Sequence, residues 1–189
     1  AIYTVTLSRD GDVLHENATP EGTPHPLFAV GHLLRRIEAL RERLAQGTHS
    51  LLQPETIFVG QVHGGDFYNR FPNETMVMGT RRWHPESSLD AVREEFDALL
   101  RELEAETGIR AEVRWQLVRD SYAVPADSPI VRAAQVAFRR VKGIEPRIGG
   151  FASVGDAATL TREGGAHALW FGPDAKGPHS DLESIAVDE

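Results

Sequence analysis

Residues Val59–Pro85, VGQVHGGDFYNRFPNETMVMGTRRWHP, decide how this chain is read. The run from Thr56 to His63 is β-rich and ends at Gly64-Gly65. A second β-rich run, Thr75 to Thr80, delivers Arg81 and Arg82. Two strands joined by a turn are therefore predicted, with Tyr68, Asn69, Phe71 and Pro72 between them. An arginine at a strand end and an asparagine on a loop can together hold a carboxylate or a carbonyl. The guanidinium offers a planar fork of donors and the side-chain amide one more. In a regular strand Arg81 and Arg82 face opposite sides, so only one of them points inward.

Upstream of this hairpin, Ile2, Tyr3, Val5 and Leu7 form an opening strand, Arg9–Asp12 a turn, and Val13–His15 a brief resumption. Apolar Val30, Leu33, Leu34, Ile37, Leu40 and Leu44 recur on one helical face, between a start near Thr23–Pro26 and a stop at Gly47. Downstream, Ser87 and Asp90 stand at capping-box spacing, ahead of the stripe Val92, Phe96, Leu99, Leu100 and Leu103. Gly108 ends that helix, and Arg110–Arg119 alternates as a half-buried strand. The order β-α-β-β-α-β predicts an α+β, ferredoxin-like unit, a four-stranded antiparallel sheet with two helices on one face.

After Asp120 the character changes. A helix from Pro129 to Gly143, a short helix opening at Gly155-Asp156, and a buried strand Ala168–Phe171 point to α/β organisation. Helix capping accounts for Asp156. About seventy residues is short for a complete domain of that kind. Two domains are expected, 1–119 and 120–189, the second incomplete. Because Ala1 stands directly inside a strand pattern, the chain reads as a piece of something longer.

Composition excludes several classes. The net charge of -8 argues against nucleic acid or an anionic membrane as partner, since phosphate binding needs a basic excess. There is no cysteine, hence no disulfide framework and no thiolate metal site. No apolar run approaches the roughly 20 residues that span a membrane. A cytoplasmic home is expected.

Gly64, Gly65, Asn69, Pro72, Gly79, Thr80 and Arg82, in this order and spacing, resemble the lid, or dimerisation, domain of a family of zinc metallohydrolases. That family contains aminoacylase, acetylornithine deacetylase, succinyl-diaminopimelate desuccinylase and carboxypeptidase G. The C-terminal run from Gly172-Pro173 to His179 and Glu183 is similar to the close of its catalytic domain. The resemblance implies a ferredoxin-like lid followed by the C-terminal part of an α/β zinc-exopeptidase domain. It implies a metal-dependent hydrolase acting on the amide bond of an N-acyl amino acid or small peptide, and a homodimer formed through the lid. By the same resemblance His179 is a zinc ligand and Glu183 its orienting partner. Asn69 and Arg82 contact the substrate, and His15 stabilises the oxyanion in the neighbouring subunit. Gly155-Asp156-Ala157 matches the family's helix start, with glycine where a hydroxyl residue is usual.

Zinc, two ions per site, is the cofactor expected of the intact parent, with cobalt or manganese as substitutes. The family's remaining ligands and its general-base glutamate precede the lid, so this chain alone is expected to bind no metal and to be inactive. His25, His32, His49, His63, His84 and His167 have no partner at ligand spacing and read as structural or surface residues. Two other readings stay open: a dimerisation module without activity, and a ferredoxin-like sensor in which Asn69 and Arg82 bind an amino acid without chemistry.

Overall fold

A computed structural model describes residues 1–172, 176, 177 and 180–186. The chain divides into two compact units, one of residues 1–122 with 152–154, the other of residues 123–151 and onward from 155.

In the first unit the elements are β1 (Ile2–Ser8), β2 (Leu14–His15), α1 (Pro26–Ala45), β3 (Thr56–Gly64), β4 (Arg70–Phe71), β5 (Glu74–Arg82), α2 (Leu89–Thr107) and β6 (Arg110–Gln116). Strands β3, β5, β1 and β6 lie in that order in one sheet, every neighbouring pair antiparallel. This is the ferredoxin-like arrangement expected from the element order. Tyr3, Val5 and Leu7 of β1 sit opposite Gly79, Val77 and Thr75 of β5 and Trp115, Val113 and Ala111 of β6. These rows form the inward face, because side chains alternate along a strand. Leu33, Ile37 and Leu40 of α1 and Phe96, Leu100 and Leu103 of α2 close over it in one buried cluster. At its centre the rings of Tyr3 and Phe96 lie 5.1 Å apart, and Phe96 meets Trp115 edge-on at 5.3 Å.

Each helix has a local reason to begin and end. Pro26 occupies the first turn of α1, where its missing N–H costs nothing, and Arg43 complements the dipole at the other end. In α2 the cap is Ser88, one residue beyond the expected Ser87, and its hydroxyl accepts from the Ala91 N–H at 3.1 Å. Gly108, at φ +67°, closes the same helix in the left-handed conformation. Strand β6 stops at Gln116, three residues before Arg119, where the antiparallel partner Ile2 runs out.

The register of β3 against β5 shifts between Val59 and Gln61, leaving Gly60 as a bulge. Strand β3 is an edge of the sheet, and Phe58 on its outer face is 64% exposed. The short β2 does not continue β1. It pairs with β4 instead, Leu14 opposite Phe71 and His15 opposite Arg70.

The second unit holds α3 (Pro129–Lys142) and α4 (Asp156–Arg162). The expected strand Ala168–Phe171 does not form, and Trp170 and Phe171 are 51% and 62% exposed. A strand exists only against a partner ladder, and among the described residues of this unit no sheet offers one. The cap of α4 is Gly155, whereas Asp156 is the first residue of the helix proper. Expected as the cap, Asp156 places its carboxylate in the first turn, where it suits the positive end of the dipole. The indole of Trp170 lies against Gly155, and a Cβ there would come 2.2 Å from its Cζ2. A hydroxyl residue at this position would have to displace the ring.

Candidate functional site

The β2–β4 pairing brings His15 and Asn69 together across 54 positions of sequence. The Glu16 N–H donates to the Asn69 carbonyl at 3.0 Å, and the Thr19 hydroxyl donates to the His15 carbonyl at 3.1 Å. These bonds fix both backbones. Asn69 Nδ2 then lies 3.0 Å from His15 Nε2, while His15 Nδ1 accepts from the Asn17 N–H at 3.2 Å.

This pair sits beside an exposed aromatic turn. Tyr68, immediately before Asn69, is 88% exposed, and its ring lies 4.5 Å from that of Phe67. The turn is held by the Asp66–Arg70 ion pair and by the positive φ of Gly65, +74°. On the neighbouring α1 end, His25 stacks on Phe28 at 4.4 Å and also meets Phe71. Burial between these rings holds the His25 imidazole below its usual pKa.

Arg82 lies elsewhere. Asn69 precedes the Glu74 end of β5 and Arg82 closes the other end, about 27 Å along the strand. Within one copy of the chain these two residues do not share a site. Arg82 is exposed, and its Nη1 donates to the Ala152 carbonyl at 2.8 Å. Arg81 faces inward and is 3% exposed. Its Nη2 donates to Glu55 at 2.7 Å and to Glu95 at 3.2 Å, and Glu95 also accepts from Arg43 at 2.6 Å. The alternation of a regular strand foretold this division of labour. The acidic partners, one in the loop before β3 and one in α2, carry no local signal in the sequence.

Of the three glycines of the lid pattern, two have packing reasons and Gly65 a backbone one, its φ of +74°. A Cβ on Gly79 would fall 1.9 Å from the Phe58 carbonyl oxygen, and one on Gly64 2.4 Å from Thr75 Cγ2. Gly65 turns the chain between them.

His179 lies outside the described residues. Glu183 is exposed, and its backbone N–H donates to the Ser180 carbonyl at 3.1 Å. Among the described residues no three His, Asp or Glu side chains are grouped to hold a metal. They do not by themselves fit a zinc site.

The first unit is thus an α+β fold with β3 at its sheet edge and a tip where β2 pairs with β4. The family model of the peptidase dimerisation domain matches residues 2–108, and the chain belongs to that family. Comparison with curated proteins gives no match. Among solved structures, a tripeptidase from Staphylococcus aureus is similar at TM-score 0.74 and 17% identity, over 96% of this chain and 45% of that one. A dinuclear metal-binding peptidase from Bacillus subtilis is similar at TM-score 0.64 and 18% identity, over 97% and 44%. A metallo-carboxypeptidase from Sulfolobus solfataricus is similar at TM-score 0.59 and 16% identity, over 88% and 48%. These identities establish a shared fold. The chain spans less than half the length of each.

Proposed function

We propose that this chain is the dimerisation lid, residues 1–119, and the C-terminal catalytic portion, residues 120–189, of a metal-dependent amidohydrolase. Its substrate is an N-acyl amino acid or a small peptide, and zinc is the metal. The observation that carries this reading is the His15–Asn69 pair, 3.0 Å apart on the β2–β4 tip of a unit that belongs to the peptidase dimerisation domain family. A polar pair so held, beside exposed aromatic rings, suits a ligand with an apolar side chain and a carboxylate.

Dimerisation runs through the β3 edge. Among the described residues its outer backbone groups have no partner strand in the sheet order, and such an edge is a template for a second copy. Leu27, Gly31 and Leu34 follow one another at helical spacing on α1, and Leu27 reaches Gly64 at the end of β3. Leu27, Leu34 and Val62 are exposed, and a side chain at Gly31 would meet nothing within 4 Å, so a second helix can approach closely there. Antiparallel pairing of two β3 strands would set the Arg82 end of one copy alongside the Asn69 end of the other. Thr56 pairs with Arg82, and Gly64 leads into the turn that holds Asn69. In that arrangement the two substrate contacts expected from the sequence complete one site only across the dimer.

The test uses the full-length gene product. It is expected to sediment as a dimer, to hydrolyse N-acyl amino acids or dipeptides, and to lose that activity to a chelator and regain it with zinc. Leu34→Arg combined with Val62→Arg is expected to halve the sedimenting mass. A monomeric parent, or hydrolysis untouched by chelator, would sink the reading in favour of a ligand-binding module.

A further inference from the structure

We propose that Glu104 seals the β6 edge of the sheet against a second strand, so that copies of this chain pair through β3 and assembly stops at two. The inference rests on the β3 pairing put forward above and adds what closes the assembly.

An open sheet has two edges, and here they are β3 and β6. The two are built differently. Strand β3, TIFVGQVHG, carries no Asp, Glu, Lys or Arg. Strand β6, RAEVRWQ, exposes the charges of Arg110, Glu112 and Arg114, in alternation with half-buried Ala111, Val113 and Trp115. Along an antiparallel ladder, hydrogen-bonded pairs alternate with pairs whose backbone groups point away from each other. The Ala111 N–H donates to Glu104 Oε1 at 2.7 Å. Ala111 therefore faces away from its β1 partner Leu7, and the backbone groups of Val113 and Trp115 point outward with it. A further strand would have to engage these groups.

Glu104 stands in the last turn of α2, and Gly108, at φ +67°, folds the chain back into β6. Nothing in α2 itself favours a carboxylate there, since the last turn holds no basic residue and the helix dipole opposes a negative charge. Its use is at the edge. The groove that Glu104 borders is lined also by Asp97 and Arg101. A docking strand would put a neutral carbonyl where a charge-assisted bond now stands, and that is the weaker bond. It would also strip water from the charged side chains along both faces of β6. Charges on an edge and a covered backbone donor are ways in which a sheet avoids gaining strands. Were β6 open as well as β3, pairing through both would run from copy to copy without closing.

The full-length gene product and three variants test this, by sedimentation velocity over a range of concentrations and by hydrogen exchange resolved to single amides. The Ala111 amide is expected to exchange about 10- to 100-fold faster in Glu104→Ala than in the wild type, the worth of a hydrogen bond to a charged group. The same variant is expected to sediment beyond the wild-type species, its mean mass about doubling and rising with concentration. Glu104→Gln, which keeps an acceptor oxygen, should hold the wild-type size. Adding Ala111→Pro to Glu104→Ala should restore that size, because proline removes the freed donor at a position that makes no ladder bond. A Glu104→Ala variant no larger than the wild type, or an Ala111 amide exchanging equally fast in both, would overturn the inference. So would larger species that persist in the double variant. A monomeric wild type would instead sink the pairing through β3. Glu104→Ala would then be expected to form dimers through β6, and a variant that stayed monomeric would overturn the inference too.

Discussion

Gly79→Ala is expected to destabilise the lid by about 3 kcal/mol or more, at the upper end of what overpacking costs. The added methyl has no free space. Its ideal position is 1.9 Å from the Phe58 carbonyl oxygen and 2.5 Å from the Tyr3 hydroxyl. That hydroxyl donates to the same carbonyl at 3.0 Å, so one methyl strikes both ends of the bond that ties β1 to the edge strand across β5. The phenol is buried, which already raises its pKa, and it has nowhere to retreat. Relief can come only by moving β3 away, because the carbonyl is backbone. Urea denaturation should show a lower midpoint, and hydrogen exchange should quicken first in Thr56–Gly64. Adding Tyr3→Phe should restore little, since the carbonyl clash remains. A loss below about 1 kcal/mol would mean that β3 is free to shift.

Arg81→Met should have the other large effect, about 3–5 kcal/mol, the range for removing one partner of a buried ion pair. The guanidinium is 3% exposed and lies between Glu55 and Glu95, whose side chains are 18% and 27% exposed. Without it two carboxylates face one largely buried space, with Arg43 on the outer side of Glu95 and the His84 ring 4.0 Å from Glu55 left beside them. Glu55 also accepts from the His84 N–H at 3.0 Å, so the entry to α2 loosens with it. Arg81 Nε has no hydrogen-bond partner, which shows that the cluster is imperfectly satisfied. Arg81→Met together with Glu55→Leu and Glu95→Leu should therefore recover most of the lost stability, as apolar replacement of a buried cluster often does. Thermal unfolding of the single and triple variants checks this. Equal loss in both would mean that the carboxylates are held by something other than the arginine.

Both predictions turn on contacts that no window of sequence contains. Tyr3 and Phe58 are 55 positions apart, Arg81 and Glu55 26, His15 and Asn69 54. The site candidates His15 and Asn69 could be chosen from residue type, order and family resemblance. Their meeting needed β2 to leave β1 and pair with β4. A two-residue ladder carries too weak a pattern to be read in advance.

The sequence by itself determined the order β-α-β-β-α-β, the alternation of β6 and the stripes of α1 and α2. All of these follow from periods of two or 3.6 residues, which are local properties of the chain. It determined likewise that Arg81 and Arg82 part company. Only the tertiary structure decided that Ser88 rather than Ser87 caps α2, that β6 ends where Ile2 ends, and that Ala168–Phe171 forms no strand. It alone decided that Gly79 admits no side chain and that Arg81 finds two carboxylates. The physical reason is the same throughout. Periodicity states which face of an element is apolar, whereas register, partner strands and buried charge pairs depend on what the rest of the chain places against that face.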